Sequence, residues 1–240
     1  MLPVPSGAAT TRVGMTRRRL PVVLLVACTC AHEGRQSTDV PSPPLSSASM
    51  ERHFEEADAM RMAAVRGEAD TVREVATSFA ARVSESTYPQ PWAPSVERLE
   101  AVLARASAVD GAAQSAALVA EVGASCGGCH ADNDVPVAVD WPSEPSPEHR
   151  MDTFAYATEL LWLGLIVPSE PAWERGAEAY HAALSCEDFE SVSLGPYHVS
   201  LCSSVKATGA SVVAAKDPIG KQRAFADVIS TCAGCHGPDT

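Results

Sequence analysis

The stretch Cys126-Gly127-Gly128-Cys129-His130 recurs 106 positions later as Cys232-Ala233-Gly234-Cys235-His236, almost at the end of a chain of 240 residues. Two thiols three positions apart can each add to a vinyl group of one porphyrin, and the adjoining imidazole then lies under the iron as its proximal ligand. A zinc site would need two pairs of thiolates about 15 to 20 residues apart, and a thioredoxin-like dithiol would need a preceding strand. The sequence has neither context. It therefore predicts two covalently attached c-type haems, each bound through the two cysteines and the histidine of one motif.

The first 28 residues are predicted to be a targeting segment that takes no part in the fold. Arg17 to Arg19 form a positive n-region, Leu20 to Ala27 a short apolar h-region, and Cys28 follows. This run is too short to span a bilayer as a helix, which leaves a cleaved secretory signal or a lipoprotein signal. The ending resembles a bacterial lipobox, so we expect export to the periplasm, with Cys28 lipidated as a membrane anchor. Residues 29–49, rich in Ser and Pro, are predicted to be a flexible tether.

Apolar residues recur at helical spacing in two successive segments, residues 50–133 and 148–240, which are joined by a Pro-rich linker at 134–147. Helix start and stop signals predict four helices in each segment and no alternating strand. The bounds that can be predicted are 50–67, 71–83 with a capping box at its start, 95–108 and 112–130, then 149–167, 170–184 and 218–236. The predicted fold is all-α, with two tandem four-helix bundles that each carry a C-terminal haem motif.

The two segments also align with each other. At an offset of 100 residues Phe54 falls on Phe154 and Ala57 on Ala157, and at an offset of 106 the haem motifs coincide. This shared layout predicts an internal duplication. A four-helix unit that ends in its haem motif resembles the class II cytochromes c, the cytochrome c prime family, over residues 50–240. In class I cytochromes c, and in the dihaem peroxidases built from them, the motif comes near the start of each domain.

The distal ligand of the first iron is expected from the first helix, which runs antiparallel to the fourth in an up-down-up-down bundle. His53 and Met60 lie on one face of that helix. They are about 10 Å apart along its axis, so one iron can use only one of them. The candidates are therefore His53 or Met60, and an open site is the third alternative.

The second segment departs from the first at the same two positions. Thr153 aligns with His53 and Leu160 with Met60, and neither is one of the proposed ligands. His149 or Met151, near the helix start, are the weak distal candidates there. We expect the second haem to be open or weakly ligated. The resemblance supports this expectation, because five-coordinate members of the family have an apolar side chain over the distal face.

Cys186 and Cys202 flank an irregular loop of the second segment, and in an oxidising compartment they are predicted to form a disulfide. The net charge of −12 argues against nucleic acid as a partner and can steer a basic redox protein. The sequence has no catalytic triad, paired carboxylates or substrate-pocket signature, so no enzymatic activity is predicted. We expect one-electron transfer between redox partner proteins in the periplasm or at the membrane surface. The alternative is a gas-binding or gas-sensing protein with an open distal site on the second haem.

Overall fold

The computed structural model describes residues 47–138, 140–146, 150–183 and 196–237, without the side chains of 47–48 and 196–201. This part of the chain contains eight α-helices and no strand, so the all-α prediction is confirmed. The helices are α1 (Ser47–Val65), α2 (Ala69–Glu85), α3 (Ala93–Leu103), α4 (Ala112–Asp132), α5 (Arg150–Ile166), α6 (Glu170–Ala182), α7 (Pro196–Ala214) and α8 (Pro218–His236). Two 3₁₀ turns, Gln90–Trp92 and Ala104–Ala108, flank α3. Within the described ranges, no helix has the length and apolar character that crossing a membrane requires.

Three helix boundaries follow the chemistry of single residues. Gly67 adopts a φ of 71° after α1, and the N–H of Glu68 bonds to the carbonyl of Ala63 at 3.0 Å, as in a Schellman cap. The Ser169 side chain accepts a hydrogen bond from the third residue beyond it, at the start of α6. The Asp217 carboxylate accepts one in the same way at the start of α8. All three residues were identifiable from the sequence because a cap depends on local chemistry.

Two of the predicted helix starts are wrong. The turn at Gly67 leaves only Glu68 between α1 and α2, and the N–H of Val72 already bonds to the Glu68 carbonyl at 3.0 Å. Helix α2 therefore begins before Thr71, where the capping box was predicted. Ser95, the predicted start of α3, lies inside that helix, and its hydroxyl donates to the Asp132 carboxylate at 3.3 Å. A tertiary contact occupies this serine, so it does not cap the helix.

The helices of each segment pack against one another, and the two segments also meet. In residues 47–132, α1 packs on α2 and α4, and α3 packs on the same two helices. In the second segment, α5 and α7 each pack on α6 and α8. Between the segments α4 lies along α8, while α1 packs on α8 and α5 packs on α4. In this packing the first helix of each segment contacts the last helix of the other segment. The same reciprocal contacts are expected when two copies of a unit face each other across a two-fold axis.

One hydrophobic cluster extends through both segments, from Ala57 to Ile229. At its middle the rings of Trp162 and Phe225 stack with centroids 5.5 Å apart. A side chain at Gly123 would meet the Trp162 ring at 2.5 Å, so this glycine lets α4 lie directly on α5. The two segments therefore share buried side chains at the contact between α4, α5 and α8.

The directions of these helices follow from their contacts. Along α4, Gly123 faces Trp162 and His130 reaches Ile166, so α4 and α5 run in the same direction. Helix α8 runs antiparallel to α5. Trp162 of α5 stacks on Phe225 of α8. Phe154, earlier in α5, contacts Tyr180, which lies near Cys232 and Cys235 at the end of α8. Helices α4 and α8 are thus antiparallel. Their motifs lie towards opposite ends of the pair, about 20 Å apart in helical rise.

Candidate functional site

The first Cys-x-x-Cys-His motif lines a cavity of about 590 Å³ at the C-terminal end of α4. Its walls come from α1 to α4, the loop after α2, the end of α5 and the chain that follows α4. The lining residues are Met50, Glu51, His53, Phe54, Phe79, Tyr88, Ser95, Val96, Leu99, Ser125, Cys126, Cys129, His130, Val135, Pro136, Val137, Ala138, Ile166 and Val167. Glu51 is the only carboxylate among them. The cavity is mostly apolar and has the dimensions of a small-molecule or cofactor site.

His130 is held by a backbone carbonyl. Its Nδ1 lies 2.9 Å from the carbonyl oxygen of Ile166, the last residue of α5. Because a carbonyl oxygen only accepts, Nδ1 must carry the hydrogen, and Nε2 keeps its lone pair. Burial lowers the pKa of His130, and the bond to Ile166 opposes part of that shift. The imidazole is therefore neutral at neutral pH and has one nitrogen available for a metal.

The two thiols of the first motif are protonated in this environment. Burial raises the pKa of Cys126 to about 12, with a further contribution from Cys129. Burial also raises the pKa of Cys129, although the nearby Ser95 and Asn133 side chains oppose the shift. Redox-active Cys-x-x-Cys pairs have lowered thiol pKa values, which is the opposite effect. The local electrostatics therefore argue against a redox dithiol.

His53 and Met60, the two distal candidates, lie in different places. His53 is 8% exposed and lines the cavity, with its ring centroid 5.5 Å from that of Phe79 and 6.2 Å from that of Tyr88. Burial lowers the pKa of His53, so this imidazole is also neutral at neutral pH. Met60 is fully buried in the hydrophobic cluster and is not among the cavity-lining residues. The fold thus brings His53, and not Met60, to the first motif.

Two parts of the cavity wall were missed by the sequence analysis. The Tyr88 hydroxyl is buried and, among the described residues, has no hydrogen-bond partner of normal geometry. The Ser86 side chain is close enough to lower the pKa of Tyr88, but burial raises it by more. Residues 135–138, predicted as linker, also line the cavity. The alternation of Val135 and Val137 with smaller residues was the one available signal for this segment.

The donor set at the first motif fits a covalently attached haem. Two thiols lie one helical turn apart on α4, one imidazole has Nδ1 occupied and Nε2 available, and a second neutral imidazole lines the same cavity. The surrounding wall is apolar, as a porphyrin ring requires. The buried Tyr88 hydroxyl, which lacks a partner of normal geometry in the described part of the chain, can donate to an acceptor group on a ligand, and porphyrin carboxylates are such groups.

The second motif lies in a more open environment. Cys232 is half-buried, whereas Cys235 and His236 are exposed. Burial raises the pKa of Cys232 to about 11, and the nearby Arg61 of α1 opposes the shift. Tyr180 of α6 is buried, and its pKa is raised by burial and by the charges of the two cysteines. The motif is therefore close to an aromatic side chain of its own segment and a cation of the other.

The structure describes only some of the weak distal candidates and remaining cysteines. Met151 is 58% exposed. His149 and Cys28 lie outside the described residues, together with the signal segment and residues 29–46 of the tether. Residues 47–49, also predicted as tether, instead form the start of α1. Cys202 is disulfide-bonded, and Cys186, the partner predicted for it, is also outside the described ranges. That pairing stays a prediction.

Within the described residues, no group of three or more His, Cys, Asp or Glu side chains is arranged to hold a metal ion. A comparison of the chain with protein-family models, curated proteins and solved structures found no match. The assignment of function therefore depends on the residues and their geometry.

Proposed function

We propose that this protein is a dihaem c-type cytochrome that transfers single electrons between protein partners. One observation carries the proposal: both thiols and the histidine of the first motif line a single apolar cavity together with a second neutral imidazole, His53. These residues would hold a covalently attached haem through two thiols and supply two imidazoles to its iron. The repeated motif extends the proposal to a second haem.

Each residue has a defined role in this proposal. Cys126 and Cys129 would hold the first haem through thioether links, and His130 and His53 would bind its iron. Cys232, Cys235 and His236 hold the second haem in the same way. Bound haem supplies the redox chemistry, because its iron alternates between the ferric and ferrous states. The apolar wall of the cavity excludes water and limits reorganisation around the iron.

The finer architecture belongs to the same proposal. The packing of α1 with α2 and α4, and of α3 with the same helices, supports one four-helix unit over residues 50–133. The packing of α5 and α7 on α6 and α8 supports a second over residues 148–240. Each unit ends in its haem motif, as in class II cytochromes c. The proposed setting is the periplasm, with Cys28 as the lipid anchor and an acidic surface that attracts basic redox partners.

A second candidate function is gas binding at the second haem. It is favoured by one difference between the repeats: Thr153 occupies the position of His53, whereas Leu160 is fully buried, as Met60 is. Threonine is not an iron ligand of the proposed kind, and an iron without a strong distal ligand can bind small gases. Carbon monoxide should then change the reduced spectrum of about half the haem. A spectrum that does not change with carbon monoxide rejects this function.

The proposed function is tested by counting haems in the full chain after its production in a bacterium that attaches haem c. Intact mass and the pyridine haemochrome should give two haems for the parent protein. The variants Cys126→Ala/Cys129→Ala and Cys232→Ala/Cys235→Ala should each retain one, while the control Cys202→Ala should keep two. A redox titration should show two electrons per chain. A parent protein with one haem or none would contradict the proposal.

A further inference from the structure

The first haem motif has a contact that crosses from one repeat to the other. The Nδ1–H of His130, on α4 of the first segment, donates to the carbonyl of Ile166, on α5 of the second. Ile166 is the last residue of its helix. Carbonyls in the final turn of a helix have no partner within the helix and carry its partial negative charge. The proximal histidine of one repeat is thus bonded to the negative end of a helix from the other.

A glycine in the motif makes this contact possible. A side chain on Gly127 would place its Cβ 2.2 Å from the carbonyl oxygen of Leu165, an atom of the backbone that cannot move aside alone. The next residue, Gly128, has no atom within 4 Å of the same position. Within the described residues, the end of α5 therefore packs against Gly127 and not against Gly128. Ile166 and Val167 then continue into the wall of the cavity.

The second motif does not have this arrangement. Ala233 occupies the position of Gly127, so the attachment motif itself accepts a methyl group there. The proximal histidine of that motif, His236, is exposed, whereas His130 is half-buried. Gly127 is therefore explained by the approach of α5 and not by the chemistry of the motif.

We propose that the C-terminal turn of α5 is a positioning element for the first haem, so that the second repeat sets the reduction potential of the haem in the first. The inference rests on the proposed function. The Ile166 carbonyl fixes the tautomer and ring orientation of His130 and raises the basicity of Nε2. A more basic ligand stabilises ferric iron, and the partial negative charge of the helix end acts in the same direction. The contact therefore lowers the potential of the first haem.

The test compares Gly127→Ala with Gly128→Ala in the full chain, using the Cys232→Ala/Cys235→Ala background so that only the first haem titrates. The methyl at 127 pushes the end of α5 away from His130, and the methyl at 128 meets nothing. We expect Gly127→Ala to raise the midpoint potential and Gly128→Ala to leave it unchanged. A tenfold change in the ratio of ferric to ferrous stability corresponds to about 59 mV for one electron. Equal potentials in the two variants would overturn the inference.

A second variant keeps every side chain in place. Incorporation of the α-hydroxy analogue of valine at position 167 converts the peptide bond after Ile166 into an ester, whose carbonyl is a weaker acceptor. The midpoint potential should again rise, and the ester decides the question even if Gly127→Ala does not fold. Because the change also removes the Val167 N–H, which donates to Leu163 at 3.0 Å, stability is measured in parallel. No rise in the midpoint potential of the folded ester protein would overturn the inference.

A measurement on the apoprotein separates this inference from the proposed function. Nitrogen NMR of the His130 side chain in the full chain without haem should show hydrogen on Nδ1. Hydrogen on Nε2 instead would overturn the role of the Ile166 carbonyl whatever the haem content. A chain with the expected tautomer that attaches no haem would instead contradict the proposed function.

Discussion

The two Cys-x-x-Cys-His motifs have nearly the same sequence but different surroundings. Around the first, five elements and the chain after α4 form a cavity, and the histidine bonds to a carbonyl at 2.9 Å. Around the second, Cys235 and His236 are exposed, and the neighbours of the half-buried Cys232 include Tyr180 and Arg61. The reciprocal packing of α1 on α8 and α5 on α4 relates the two ends. Near symmetry of the backbone thus coexists with unequal sites, because a few side chains differ.

The difference indicates how the proposed duplication would give the two motifs different roles. His53 of the first repeat is replaced by Thr153 in the second, and Gly127 by Ala233. The first difference removes the proposed distal ligand, and the second shows that the motif accepts a methyl group between its cysteines. Axial ligation and the hydrogen bonds around it are main controls on haem potential. The repeats are therefore expected to hold irons of different potential within one folded unit.

The largest expected effect is the loss of His53, the proposed distal ligand of the proposed first haem. His53→Ala removes the imidazole that lines the cavity, so in the Cys232→Ala/Cys235→Ala background the remaining haem should become high-spin and bind carbon monoxide. Met60→Leu is the matched variant, because Met60 is in the core and a swap of similar volume costs less than about 1.5 kcal/mol. Its spectrum should be unchanged. If Met60→Leu alters the haem and His53→Ala does not, the ligand assignment is reversed.

The next effect concerns the core that the two segments share. Trp162→Ala removes a fully buried ring that stacks on Phe225 and covers Gly123. The expected loss of unfolding free energy is about 3 to 5 kcal/mol. Trp141→Ala, at an exposed position, should change it by less than about 0.5 kcal/mol. Both are measured by denaturant unfolding of the holoprotein.

The shape of the same unfolding curve tests whether the two regions are one cooperative unit. If they are, Trp162→Ala shifts a single transition that is reported equally by the two haems. Two separate transitions, of which only one responds to Trp162→Ala, would show that the repeats unfold independently. The coupling between the motifs would then be weaker than the shared core indicates.

A smaller loss of stability is expected from breaking the ion pair that links the two segments. Arg61 is 6% exposed and bonds to Asp58 at 2.7 Å on its own helix and to Glu159 at 2.9 Å on α5. Because the two carboxylates are partly exposed, Arg61→Gln should cost only about 1 to 3 kcal/mol. Arg61 also lies near Cys232, so loss of this cation should lower the potential of the second haem.

The control for Arg61 is Arg66→Gln, just beyond the end of the same helix. Arg66 pairs with Glu68 at 2.8 Å, but both side chains are largely in solvent. Exposed pairs contribute little to stability, because solvent and salt screen the two charges. Unfolding and redox titration of the two variants are compared directly. Equal effects on stability would mean that the Arg61 bridge contributes no more than a surface pair.

The sequence predicts what is local in this fold and misses what is long-range. Helical spacing and single caps, such as Gly67 and Asp217, locate the helices. Thr71 is wrongly predicted as a cap because the turn at Gly67 starts α2 earlier. The contact between His130 and Ile166 could not be predicted, because a backbone carbonyl has no side-chain signature. Its one visible sign was Gly127 in the motif.

The residues of the candidate site can also be predicted from the sequence only where the signal is local. The haem-motif residues follow from their spacing alone. The choice between His53 and Met60 could not be predicted from the sequence, because both lie on one face of α1. Which of them reaches the motif depends on how far α1 is shifted along α4. That shift depends on tertiary packing, which places Met60 in the core and His53 at the cavity. Tyr88 carries no sequence signal, because its importance comes from burial of its hydroxyl.

The smallest expected effect comes from making the second motif resemble the first. Ala233→Gly should lower the unfolding free energy by about 1 kcal/mol, because glycine weakens a helix interior and the buried methyl group is lost. The potential of the second haem should stay within error of the parent value, since in the described part of the chain no helix end bonds to His236 as α5 bonds to His130. Differential unfolding and redox titration in the Cys126→Ala/Cys129→Ala background check both parts. A shift in potential as large as that of Gly127→Ala would mean that the residue between the cysteines tunes haem directly. The asymmetry of the two sites would then come from the motifs themselves and not from the end of α5.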